Sequence, residues 1–119
     1  MNRELDAWIA EYVMGWSWDL KSAKSPTGST CDNKEKPFWW LPEYSSYIGD
    51  AWSVVEKLRT PQVAFNICTL THQTKNPTME WIARFEFFVN KRYEFVLDTH
   101  ESAPMAICLA AKKLVKARG

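Results

Sequence analysis

"MEWIARFEFFVNKRYEFVL", residues 79–97, decides the fold class. Met79, Trp81, Ala83, Phe85, Phe87 and Val89 alternate with Glu80, Arg84 and Glu86, the period of two that marks a long half-buried strand. "NKR" at 90–92 turns the chain, and Tyr93, Phe95 and Leu97 return as the second arm of a hairpin. Just upstream, Val63, Phe65 and Ile67 alternate with Ala64, Asn66 and Cys68, and the polar "THQTKNPT" at 71–78 joins that strand to the hairpin. "WSWDL" at 16–20 repeats the alternation and reads as a further short strand.

Working outward, the flanks change period. Leu5, Trp8, Ile9, Tyr12 and Val13 share one helical face behind Asn2, a residue suited to capping the first turn, and Gly15 stands where a left-handed residue would end that helix. Ile48, Ala51, Trp52, Val55 and Leu58 form the apolar face of a second helix capped by Ser45 or Ser46 and stopped by Thr60 and Pro61. Ser102 and Pro104 open a third, lined by Ala106, Ile107, Ala110, Ala111 and Leu114, with Lys112, Lys113, Lys116 and Arg118 at the end that favours cations. The predicted order is α-β-α-β-β-β-α. That is an α+β domain of about four mostly antiparallel strands with three helices, at about 3–14, 46–59 and 103–116. Leu5, Ile9, Trp52, Val55, Trp81, Phe85, Ile107 and Leu114 are expected in its core. Residues 21–36, rich in Ser, Thr, Lys, Asn and Gly without periodicity, read as a flexible loop.

A chain of 119 residues is read as one domain, able to bury a core without metals or disulfides. Its net charge of +1 gives no field that would recruit nucleic acid or an anionic membrane. No apolar run approaches the roughly 20 residues of a membrane span, and "MNRELDAW" does not have the form of a signal peptide, so the expected location is the cytoplasm. Cys31, Cys68 and Cys108 are odd in number and far apart, which argues against a disulfide framework. Cys68 and Cys108 are expected to be buried hydrophobes and Cys31 an exposed loop residue. His72 and His100 have no ligand-spaced neighbours, no glycine-rich phosphate loop is present, and Ser102 reads as a cap before it reads as a nucleophile. The chain therefore reads as a non-enzyme, with no catalytic residues, no metal site and no cofactor.

"PFWWLPEYSSYIGDAW", residues 37–52, is the stretch with binding potential. Trp39, Trp40 and Tyr44 precede the expected helix start at Ser45 and Ser46. Helix starts offer unpaired N–H groups to anions, and aromatic faces stack on nucleobases. Arg84, set between two acids on the polar face of its strand, is the basic residue expected to pair with a phosphate. Seven tryptophans in one small domain predict a homo-oligomer that covers some of them.

"AEYVMGW" (10–16), "YSSYIGDAWSVVEKL" (44–58) and "ESAPMAICLAAKKL" (101–114) together resemble the phage ABA sandwich domain family. Where that family has an acid near the start of the middle helix, this chain has Tyr47. The resemblance implies an α/β/α three-layer sandwich, a phage origin and no established enzymatic activity. By analogy with phage proteins of this size that act as non-catalytic sponges, it implies sequestration of a nucleotide-derived bacterial immune signal, such as a cyclic ADP-ribose isomer or a cyclic oligonucleotide. The alternative is inhibition of a host factor by direct protein contact, with the aromatics as anchors.

Overall fold

The computed structural model describes residues 2–18, 22–24, 30–32, 41–72 and 78–118. Three helices, α1 (Arg3–Tyr12), α2 (Ile48–Leu58) and α3 (Ala103–Arg118), accompany two antiparallel sheets. The main sheet has the order β4-β5-β6, from β4 (Val63–His72), β5 (Thr78–Val89) and β6 (Arg92–His100). A small sheet has the order β1-β2-β3, from β1 (Ser17–Trp18), β2 (Ser22–Lys24) and β3 (Thr30–Asp32). The strand expected at 16–20 thus joins a separate small sheet, which leaves the main sheet with three strands. Two of the short strands fall inside 21–36, and the rest of that segment lies outside the described residues.

The expected turn at 90–92 closes with two residues, Asn90 (φ 52°) and Lys91 (φ 64°), between the paired Val89 and Arg92. Left-handed backbone at both central positions is the turn whose twist matches a two-stranded ribbon. It sets the β5–β6 register, with Phe85 opposite Val96, and on its other side β5 pairs with β4, Phe85 opposite Phe65. Because side chains alternate, Val63, Phe65, Ile67, Trp81, Ala83, Phe85, Phe87 and Val96 share one face.

α3 covers that face. Ala106, Ile107, Cys108, Ala110, Ala111 and Leu114 are buried, the small residues letting the helix approach the strands closely. α2 docks through Ala51, Val54 and Val55, and α1 through Leu5, Ile9 and Ala10. Of the expected core, Leu5, Ile9, Val55, Phe85, Ile107 and Leu114 are fully buried. Trp81 is only partly buried, and Trp52 is 39% exposed, meeting Phe65 edge-on at 5.9 Å, so both are rim rather than core. The reason for Trp52 is position: the buried stripe of α2 runs through Ala51, Val54 and Val55, and Trp52 stands at its flank.

The opposite face of the main sheet carries no helix among the described residues. Leu70, Phe88, Tyr93, Phe95 and Leu97 are exposed there. Cys68 also lies on this face and is exposed, contrary to expectation, whereas Cys108 is buried in α3 as expected. Burial pushes the Cys108 thiol well above its ordinary range.

Candidate functional site

A buried carboxylate organises the end of the molecule where α1 begins. Asn2 caps α1, its side-chain oxygen accepting from the Leu5 N–H at 3.0 Å, as its position in the sequence predicts. One turn on, Asp6 is fully buried and paired with Arg3 at 2.7 Å. Its other oxygen accepts from the Ser45 N–H at 2.7 Å. Arg3 also donates to the Leu41 carbonyl at 2.7 Å, so the guanidinium and carboxylate together tie α1 to the segment leading into α2. The Ser45 hydroxyl completes the tie by donating to the Asn2 carbonyl at 3.1 Å.

These contacts correct the expected cap. α2 starts at Ile48 with Tyr47 in the cap position and no side-chain cap bond; Ser45 is buried and faces α1 instead. A turn intervenes, with the Ser46 and Tyr47 N–H groups both donating to the Glu43 carbonyl. The Asp50 carboxylate accepts from the Glu43 N–H at 2.9 Å and holds that turn against the helix.

The β6–α3 junction approaches the same place. The His100 Nδ1 accepts from the Ser102 N–H at 2.9 Å. Ser102 precedes α3, its carbonyl accepting the Ala106 N–H at 3.0 Å. Between the start of α1, the Ser45–Ser46 turn and the start of α3 lies a cavity of about 720 Å³, lined by Asn2, Arg3, Glu4, Ser45, Ser46, His100, Ser102 and Met105. That volume is in the range of small-molecule sites. Its walls offer hydroxyls, one imidazole, one guanidinium and one acid, Glu4.

Of the residues expected to bind, Ser45 and Ser46 line this cavity. Tyr44 is buried with 3% exposure, so its ring packs in the core. Its hydroxyl takes a hydrogen bond from Trp16, and burial raises its pKa to about 12. Arg84 stands elsewhere, on the outer sheet face. There it pairs with Glu86 at 2.6 Å, lies 4.2 Å over the Phe95 ring, and borders two smaller cavities of about 360 and 320 Å³. Trp39 and Trp40 lie outside the described residues. Asn2, Arg3, His100 and Ser102 were not foreseen as a group. Asn2 and Ser102 were legible only as caps, and nothing local in the sequence brings them to Ser45.

Among the described residues no cluster of His, Cys, Asp and Glu is arranged to hold a metal ion, and no helix is long and apolar enough to cross a membrane. No curated protein and no solved structure matches the chain. The sequence model of one family, the phage ABA sandwich domain, matches residues 7–112.

Proposed function

The chain belongs to the phage ABA sandwich domain family, and from that premise we propose that it binds a nucleotide-derived bacterial immune signal without turning it over. Acting in the cytoplasm of the infected cell, it lowers the free concentration of the signal and so counters the host's anti-phage defence. The observation that carries this reading is the cavity between the two helix starts, about 720 Å³ with Ser45, Ser46, His100 and Ser102 on its walls. Hydroxyls, an imidazole N–H and the unpaired N–H groups at the start of a 16-residue helix suit phosphate oxygens. A cyclic ADP-ribose isomer or a cyclic oligonucleotide fits that volume and brings negative charge. In this reading a base stacks on Trp39 or Trp40, which immediately precede Leu41, whose carbonyl Arg3 holds. The described residues form two layers, with helices on one face of the main sheet, where the resemblance implies three.

The test incubates the protein with a panel of such signals, measures depletion of the free pool, and then releases bound molecules by heating. Intact recovery is expected; recovery of a hydrolysed product points to an enzyme. Depletion of none, together with co-purification of a host protein, replaces the proposal with direct inhibition of a host factor. Ser46→Asp, at an exposed position on the cavity wall, sets a negative charge against the ligand and should weaken binding by at least about tenfold. Replacing Trp39 and Trp40 together with alanine should do the same if either ring stacks. Unchanged affinity in both variants moves the site away from this cavity.

A further inference from the structure

We infer that the open face of the main sheet is the contact surface between two copies of this chain, packed sheet to sheet about a two-fold axis. Charge selects both the occupant and its orientation. Arg84 and Glu86 sit side by side on β5, the central strand, 40% and 48% exposed. The guanidinium lies over Phe95 at 4.2 Å and meets Glu86 through one terminal nitrogen, while its buried Nε has no hydrogen-bond partner. One patch therefore carries both signs and an arginine with capacity left, which is what a surface needs to complement itself.

The strand register gives the arrangement. Phe65, Phe85 and Val96 form one row across the sheet. A two-fold axis in the interface plane, perpendicular to the strands and over this row, places residue 85 + n of β5 opposite residue 85 − n of the partner. Arg84 then faces the second copy's Glu86, and Glu86 its Arg84. On β6 the same operation centres on Val96, so Phe95 faces the second copy's Leu97. Phe88 likewise faces Ile82. An axis along the strands instead sets Arg84 over Arg84 and Glu86 over Glu86, a like-charge contact that specific interfaces avoid. Only the first orientation matches charge with charge of opposite sign and covers Phe95, which is 54% exposed, with an aliphatic side chain.

The dimensions agree. The Cα atoms span 49 × 42 × 19 Å, the extents of a slab. Strands of 9 to 12 residues, at about 3.3 Å per residue and about 4.8 Å apart, present a face of about 30 × 14 Å. With the relief of the side chains, two such faces bury about 1,000–1,200 Å² in total, the small end of specific interfaces. The dimer should therefore dissociate on dilution.

Sedimentation of the full chain from low to high micromolar concentration tests this. The mass should rise from 13.9 kDa towards twice that value. Glu86→Arg and Arg84→Glu should each leave a folded monomer, with circular dichroism and thermal midpoint near those of the parent. The double exchange, Arg84→Glu with Glu86→Arg, should restore the dimer, because every contact across the axis regains its opposite sign. Leu97→Lys, another exposed position, should also give a monomer and stands in if a charge variant fails to fold. A chain that stays monomeric throughout overturns the inference, as does a dimer untouched by the single variants. So does a double exchange that fails to restore association while both single variants are folded, or capture of a different protein by this face in place of a second copy.

Discussion

Asp6 is the side chain whose loss should be felt most. It is fully buried, and its two oxygens serve Arg3 and the Ser45 N–H. Asp6→Ala leaves a guanidinium and an amide without their acceptor, and breaking a buried pair in this way costs about 3–5 kcal/mol. Asp6→Asn keeps an acceptor for Ser45 and should cost less; equal urea midpoints for Asp6→Ala and the parent would remove the carboxylate from its structural role. Nothing in "RELDAW" announces that Asp6 is inside, because its partner Ser45 is 39 residues away, and the helical period places Asp6 beside the apolar stripe only by angle. Two further buried groups set a pH limit. Tyr44 has its pKa raised from 10 to about 12 by burial, and Cys108 is raised from 9 by the same cause. In both the folded state holds the proton more tightly than the unfolded chain. Their contribution is complete at neutral pH and disappears as pH rises, from about 9 for the thiol and from about 10 to 12 for the phenol. Urea midpoints should be level to about pH 9 and fall beyond it, and Cys108→Ala should move the onset towards about pH 10.

At the scale of elements, the hairpin of β5 and β6 was legible and its register was not. Alternation announced two strands and "NKR" a turn, but alternation alone does not say which face is inside. The two-residue loop decides it: with Val89 opposite Arg92, Tyr93 must face the same way as Phe88, and Phe95 the same way as Glu86. The aromatic set of β6 therefore looks outward, and of the inward set of Glu94, Val96, Asp98 and His100 only Val96 is aliphatic. Hydrophobicity by itself would have turned this edge strand over. The helices were more legible, since their apolar faces and the Asn2 cap are local signals, whereas α2 begins two residues later than Ser45 and Ser46 suggest because Ser45 is drawn to α1. The cavity was the least legible feature, for it is made by three segments that meet only in the fold. The turn also supplies a prediction. Lys91 holds φ at 64°, a conformation that costs an L-residue about 1–2 kcal/mol and glycine nothing. Lys91→Gly should raise stability by about 0.5–1 kcal/mol after the added freedom of the unfolded chain is counted, read as a higher denaturation midpoint. A lower midpoint would mean that the Lys91 side chain contributes something the backbone argument omits.

For the whole molecule, helices cover one face of the main sheet among the described residues, so the proposed association and the proposed ligand capture fall at different places. Charge variants at Arg84 and Glu86 should change mass without abolishing ligand binding, and Ser46→Asp should do the reverse; loss of both properties together would mean that the cavity needs the second copy. The tie between α1 and the Asn2–Ser45 contact closes a loop of more than forty residues, whereas β5 and β6 are joined by a two-residue turn. Contacts that close long loops form late and are the first to open, while local pairings form early. Amide exchange should therefore be slowest on β5 around Phe85. It should be faster on α1 through a partial opening that releases Asp6 and Ser45 while the hairpin stays zipped. The walls of the cavity would then separate by a motion far smaller than unfolding, and a ligand held between them would slow exchange in α1 more than anywhere else in the chain.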